Sequence, residues 1–234
     1  MFLCQQVLID APEIIPFLEY ICEESNKLHN CAVYYARQSW FKTHRFVSKA
    51  ELCAELKFNI HFQAMCAQAA QQTSHAVYES IRSFKGLLSK FNRGELTNRP
   101  RFPGYRKSGM QLVAYPKQAL QFINGLIRFP LGMKVKAWFG VDSFSLLLPT
   151  NLNWEDLREV RILPRNGCFY VEFVRVAPLF QVDVEPGRVL GIDPGLDNWL
   201  TCVSNIGKSF IVDGRKVKSL NQFYNKQVAN LKAE

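Results

Sequence analysis

Residues 188–205 read RVLGIDPGLDNWLTCVSN. An apolar run, Val189 to Ile192, carries one carboxylate, Asp193, into a Pro194–Gly195 turn, and a second apolar run, Trp199 to Val203, follows at once. Two readings are open. In the first, Asp193 caps its own turn, as Asp before Pro-Gly often does, and the stretch is a plain hairpin. In the second, a strand delivers a carboxylate to a metal site. Carboxylate oxygens suit hard divalent cations, and such cations activate water and stabilise the leaving oxygen of a phosphodiester. A strand, a terminal Asp, an antiparallel partner and a third strand is how an RNase H-like domain begins. Sugar kinases and actin-like ATPases share that superfold. Their phosphate loops usually carry Ser or Thr and begin near the N-terminus, whereas this turn is Pro194-Gly195-Leu196-Asp197-Asn198 in a hairpin preceded by 187 residues.

The chain around the stretch supplies context. Downstream, "SFIVDG" predicts the third strand, and Leu220, Phe223, Tyr224, Val228 and Leu231 recur at helical steps. Upstream, "VEPGR" (184–188) reads as a boundary. Between about Met110 and Pro178 come "LVAYP", "LIRF", "KVKAWFG", "SFSLLLP", "EVRILP" and "CFYVEFV", separated by Gly, Pro, Asn and Asp. These predict short strands of a small barrel or sandwich, with Asn166-Gly167 marking a hairpin. Residues 2–9, "FLCQQVLI", predict a strand too short to stand alone, expected to pair with this β unit. The intervening segment is then a helical insertion. Ile14, Leu18, Ile21, Leu28, Ala32 and Tyr35 mark a first helix. Ser48-Lys49-Ala50-Glu51 is a capping box that opens a helix or helix pair running to about Phe91, with Gly94 as a stop.

Composition narrows the function classes. The 234 residues carry a formal net charge of +9, which favours a polyanionic partner such as nucleic acid. Seven cysteines, an odd number without any C-x-x-C pair, argue against a disulfide framework or a zinc ribbon. Neither a membrane-length apolar run nor a signal peptide is expected. The positive charge is concentrated. Residues 82–107 hold Arg82, Lys85, Lys90, Arg93, Arg99, Arg101, Arg106 and Lys107 against one acid, Glu95. The end of this stretch, "NRPRFPGYRKSG", has two prolines and two glycines and predicts a loop. Those eight cations suit phosphate contacts, and Phe102 and Tyr105 among them suit base stacking. The alternative is a solvated charged surface whose aromatics belong to the core.

The order of parts, with "SNKLHN" (25–30), "RPRFPGYRKSG" (99–109) and "GRVLGIDPGLDNWLTCVSNIGKSFIVDGR" (187–215), resembles the N-terminal half of the TnpB (OrfB) family. That family is encoded by bacterial insertion sequences and is related to type V CRISPR effectors. The last of the three stretches is the most specific. The resemblance implies an α+β fold: a wedge-like β-barrel (1–10 and 110–185) interrupted by a helical recognition domain (11–109) that ends in the basic loop. A RuvC-type, RNase H-like hairpin, third strand and helix (186–234) would follow, the start of a truncated nuclease domain. It also implies an RNA-guided DNA-binding or nuclease protein with guide RNA and target DNA as partners, in the bacterial cytoplasm at the nucleoid. Asp193 would be the first catalytic carboxylate and metal ligand.

The family's nuclease also needs a Glu on a later strand, a further Asp, and paired C-x-x-C zinc ligands. None has a counterpart within these 234 residues, where only Asp197, Asp213 and Glu234 follow Asp193. Magnesium is therefore expected only where the site is completed, zinc is not expected in this chain, and cleavage by this polypeptide alone is not expected. A nuclease-dead, RNA-guided DNA-binding regulator is the second reading. A second chain that completes or covers the cut domain is a further possible partner, since three strands leave an open edge and face. Residues 187–234 are accordingly expected to be less stable than the rest.

Overall fold

The computed structural model describes residues 2–107, 109–177, 185, 187–195 and 197–233. Ser108, Leu196, Glu234 and, of the expected boundary at 184–188, Val184 and Pro186 lie outside the described residues. The chain is mixed α+β with antiparallel sheets, and it divides into two compact units, Met1–Pro178 and Leu179–Glu234.

The first unit begins with β1 (Phe2–Leu8). Four helices follow: α1 (Ile15–Thr43), α2 (Lys49–Leu56), α3 (Ile60–Gln63) and α4 (Ala67–Asn92). The capping box forms as expected: Ser48 Oγ accepts from Glu51 N at 3.1 Å, and Glu51 Oε2 accepts from Ser48 N at 3.4 Å. A bidentate Arg45 adds to it. Its hydrogen bonds, with Ser48 and Tyr35 contributing, hold the Glu51 carboxyl down at about 2. Gly94, at φ +78°, follows the end of α4 as the expected stop.

Strands β2 (Val113–Pro116), β3 (Gln121–Ile123), β4 (Leu126–Pro130), β5 (Ser143–Leu147), β6 (Leu157–Arg165) and β7 (Cys168–Val176) complete the unit. They form two sheets, in orders β1-β7-β6-β2 and β3-β4-β5. The short first strand pairs antiparallel with β7, from Phe2 opposite Val176 to Leu8 opposite Tyr170. The helices therefore enter between two strands of one sheet. Asn166-Gly167 turns β6 into β7 with positive φ at both residues (53° and 73°). Asn124-Gly125 (50° and 81°) does the same between β3 and β4.

One expected strand is a helix. "KVKAWFG" lies in α5 (Met133–Phe139), between the N-cap Gly132 and a left-handed Gly140 at φ 70°. Lys134-Val135-Lys136-Ala137-Trp138 alternates like a strand, which is why the spacing alone predicts one. Two flanking glycines and a Val135 that is completely buried select the helix instead. Only Gly fits at 132, because a Cβ there would lie 2.3 Å from Ala64 O.

Helices and sheets of this unit share one apolar cluster, which includes Leu18, Ile21 and Leu28 of α1, Val77 and Ile81 of α4, and Phe173 of β7. Tyr115 meets the Phe129 ring edge-on at 5.3 Å, and Phe129 stacks on Phe144 at 4.8 Å, joining the two sheets.

The second unit contains β8 (Leu190–Pro194), β9 (Asn198–Ser204), β10 (Ser209–Asp213) and α6 (Arg215–Ala233). Its sheet order is β10-β9-β8, so the three expected strands form one antiparallel meander. Among its described residues Cys202 is the only buried hydrophobic. All seven cysteines of the chain are free thiols.

Candidate nucleic-acid interface

Helix α1 carries three adjacent buried polar residues, Glu24, Ser25 and Asn26. Buried polar groups on a helix need partners outside it, and here most of them lie in the segment leading into β2. Ser25 Oγ donates to Leu112 O (3.0 Å) and shares a hydrogen bond with Thr73 Oγ1 of α4 (3.1 Å). Asn26 Nδ2 donates to Lys107 O (2.8 Å). One turn on, Asn30 brackets Arg106: its Nδ2 donates to Arg106 O (3.1 Å) and its Oδ1 accepts from Arg106 N (2.8 Å). Gln111 N donates to Cys22 O (2.9 Å). Residues 22, 26 and 30 succeed one another at four-residue steps and thus share a face. That face grips the backbone of Arg106, Lys107 and Gln111, while the Arg106 and Lys107 side chains remain exposed.

Glu24 faces a different set of partners. Its carboxylate accepts from Lys27 (2.8 Å) and bonds His61 Nδ1 of α3 (2.7 Å). Burial works to raise this carboxyl, and the hydrogen bonds from Lys27 and His61 outweigh it, leaving the group below its ordinary value.

The front of the loop is held by aromatics. Phe102 packs against Phe84 (5.0 Å, edge-on) and lies near-parallel to Trp40 (6.2 Å), which stacks on Phe46 (4.3 Å). Its ring is thus engaged within the protein. Tyr105 is 53% exposed, with the Arg37 guanidinium 5.3 Å from its ring centre. Arg37 also donates to Pro103 O (3.3 Å).

The expected cations divide by pairing. Arg82 faces Glu79 (3.7 Å) and Arg93 is held by Glu95 (2.6 Å). Lys85 lies 5.4 Å from the Phe46 ring centre. Lys90, Arg99, Arg101, Arg106 and Lys107 are exposed and have no ion pair among the described residues. Arg82, Lys85 and Lys90 stand on α4, and Arg93 is its C-cap.

In the second unit, Asp193 lies opposite Thr201 near the end of β8. Gly195 N donates to Trp199 O (3.1 Å), and a Cβ at Gly195 would fall 2.6 Å from Asn198 O, so the turn requires glycine. Asp197 and Asp213, the described acids that follow Asp193, have cationic partners: Asp197 accepts from Lys218 (2.6 Å), and Asp213 accepts from the Arg215 backbone N–H (2.9 Å) and guanidinium (3.0 Å). Those interactions lower both carboxyls. Asp193 is exposed and makes no side-chain hydrogen bond or ion pair among the described residues. No group of three or more His, Cys, Asp or Glu converges on a metal-ion position among them. Asp193 by itself does not make a divalent-metal site.

Asn26, Asn30 and Arg37 hold the backbone of the loop, a role that was assigned to none of them from the sequence. The Asn pair left a signal, two amides four apart within "SNKLHN" on a helix that is otherwise buried there. Arg37 left none, because its partners in the loop, Pro103 and Tyr105, are distant in sequence.

No family model matches the chain, and no curated protein matches it. Among solved structures it is similar to a CRISPR-Cas12f ternary complex determined by cryo-EM, with TM-score 0.48 and 14% identity, covering 96% of this chain and 53% of that one. It is also similar to a Cas12f1–sgRNA–target DNA complex, with TM-score 0.39 and 10% identity, covering 97% and 61%. The chain thus spans between half and two thirds of the length of those chains. Likenesses this distant say nothing of activity. No helix of the described residues is long and apolar enough to cross a membrane.

Proposed function

We propose that this protein binds nucleic acid through the clamped basic loop, as a TnpB/OrfB-type RNA-guided DNA-binding protein whose partners are a guide RNA and a target DNA. One observation carries the reading. The polar face of α1 fixes the backbone of Arg106 and Lys107 and leaves their charges free. A loop with surplus charge is commonly mobile, whereas this one presents its cations from an ordered backbone, the arrangement that phosphate contacts need. The net charge of +9 and the motifs at 25–30, 99–109 and 187–215 support the same reading. Asp193 is its proposed first RuvC-type carboxylate, with Mg2+ as the ion a completed site would take.

The clamp holds backbone atoms, so side-chain charge can be removed without releasing it. The variant Arg101→Ala/Arg106→Ala/Lys107→Ala should weaken binding of a labelled single-stranded RNA. It should also flatten the salt dependence of log K by about 0.7 for each phosphate no longer neutralised. Unchanged affinity and slope would refute the interface. Plasmid incubated with this polypeptide and magnesium should stay intact, since among the described residues no group of three or more His, Cys, Asp or Glu converges around Asp193, where two-metal chemistry needs several ligands. Cleavage abolished by Asp193→Ala would overturn that expectation.

A further inference from the structure

Behind the clamp, α1, α4 and the outer face of β2 and β6 line a cavity of about 420 Å³. Two buried side-chain atoms lack a hydrogen-bond partner among the described residues, Gln111 Oε1 and His29 Nδ1, and both residues line this cavity. Gln111 is 6% exposed, so its carbonyl is removed from bulk water. Buried polar atoms are nearly always paired, and leaving one unpaired is costly. Two in one wall suggest a place where something else binds.

The rest of the wall indicates what. Arg161 stands on the β6 side, held by Glu159 and Glu172, so its charge is already matched. Arg106 reaches the cavity from the clamped loop and has no acidic partner among the described residues, so it is the surplus cation. Burial first, then the Arg106 charge, lowers His29 to about 4, which leaves a flat neutral imidazole whose ring nitrogens donate or accept according to tautomer. His75 adds a second imidazole from α4. The cavity therefore combines a neutral hydrogen-bonding edge, planar groups and one free positive charge, in a volume within the range of small-molecule sites.

We propose that this cavity holds one unstacked nucleotide, its base edge bonded by Gln111 and His29 and its phosphate on Arg106. Each base has hydrogen-bond donors and acceptors side by side on its pairing edge, which suits this pair without selecting a base. Imidazole and guanidinium planes are common stacking partners for splayed bases. The nucleotide's source is either a free mononucleotide or a base turned out of an RNA strand. Only the second source rests on the function proposed above.

The test is equilibrium binding by the whole chain. The probes are the four ribonucleoside 5′-monophosphates, ribose 5-phosphate as the base-free control, and a short single-stranded RNA with and without abasic positions. At least one monophosphate should bind saturably and more tightly than ribose 5-phosphate. Gln111→Met should weaken it about tenfold, the effect of one buried hydrogen bond. It should also raise the thermal midpoint of the free protein by about 2–4 °C, because it deletes an unpaired buried acceptor. Arg106→Gln, at an exposed position, should weaken the monophosphate and ribose 5-phosphate alike. Monophosphate binding without RNA binding would keep the site and remove the guided function. Loss of RNA affinity on abasic substitution would identify the strand as the source, and insensitivity together with monophosphate binding would identify the free nucleotide. RNA binding that ignores both abasic substitution and Gln111→Met, with no monophosphate bound, would overturn the site and leave the function standing. A lower midpoint with unchanged affinity in Gln111→Met would make Gln111 structural and overturn the site as well.

Discussion

The two units are written in similar local code and bury very different amounts of it. In the first, Leu18, Tyr115 and Phe173 are essentially inaccessible because helices and two sheets face one another across one core. In the second, every residue of β8 and β10 is exposed, and α6 leaves Leu220, Phe223, Tyr224 and Leu231 more than half exposed. Alternating apolar residues and Gly turns make strands in both. Burial needs a second layer, and a three-stranded sheet with an exposed helix offers little of one.

The largest test of this contrast is a matched pair of truncations. Phe173→Ala should cost about 3–5 kcal/mol in urea unfolding. Phe210→Ala, at a side chain 53% exposed, should cost under about 1 kcal/mol. Amide exchange should follow, with β8–β10 opening far more readily than β6–β7. Equal protection of the two sheets would erase the distinction.

Two glycines make the next comparison. A Cβ at Gly132 would meet Ala64 backbone at 2.3 Å, which cannot yield, so Gly132→Ala should cost about 3 kcal/mol. A Cβ at Gly214 would meet the Trp199 ring at the same distance, but that side chain is 47% exposed and free to swing, so about 1 kcal/mol is expected. The same thermal-melt series measures both.

Each unit also has an asparagine that ties down a loop. Asn26 does so while 4% exposed, and Asn26→Ala should cost about 1–3 kcal/mol and speed tryptic cleavage around Arg106 and Lys107. Asn205 accepts from Val189 N (3.0 Å) and donates to Gly187 O (2.6 Å) in an exposed setting, so Asn205→Ala should cost about 0.5 kcal/mol. Similar losses would show that burial does not distinguish the two clamps.

The last contrast is acid sensitivity. His29 is lowered from 6.5 to about 4 in the folded state, so the stability it contributes is present above 6.5 and is lost as pH falls toward 4. Glu24 is also depressed, so its contribution is lost at still lower pH. The first unit should therefore soften between pH 6.5 and 4.5, a range in which Asp197 and Asp213 of the second unit stay ionised. His29→Leu should flatten the dependence of the thermal midpoint over that interval, and an unchanged slope would assign the effect elsewhere.

Residue order alone determined the element types wherever periodicity and end signals agreed: the capping box at Ser48, the Asn166-Gly167 hairpin, the three-strand meander around Asp193, and a first strand that had to find distant partners. These are local effects, fixed by φ/ψ preference and apolar spacing within a few residues. Where spacing fitted two periods, as in Lys134 to Trp138, only the packing of Val135 and the flanking glycines selected the helix. Tertiary structure also decided what the basic stretch became. Among the described residues the backbone of Arg106 is held by Asn30 and that of Lys107 by Asn26, some eighty positions earlier, because a buried amide such as Asn26 must find its partner outside its own helix. The same hydrogen bonds enclose Gln111 Oε1 and His29 Nδ1, atoms without a hydrogen-bond partner among the described residues, a feature visible only once separate elements meet around one cavity.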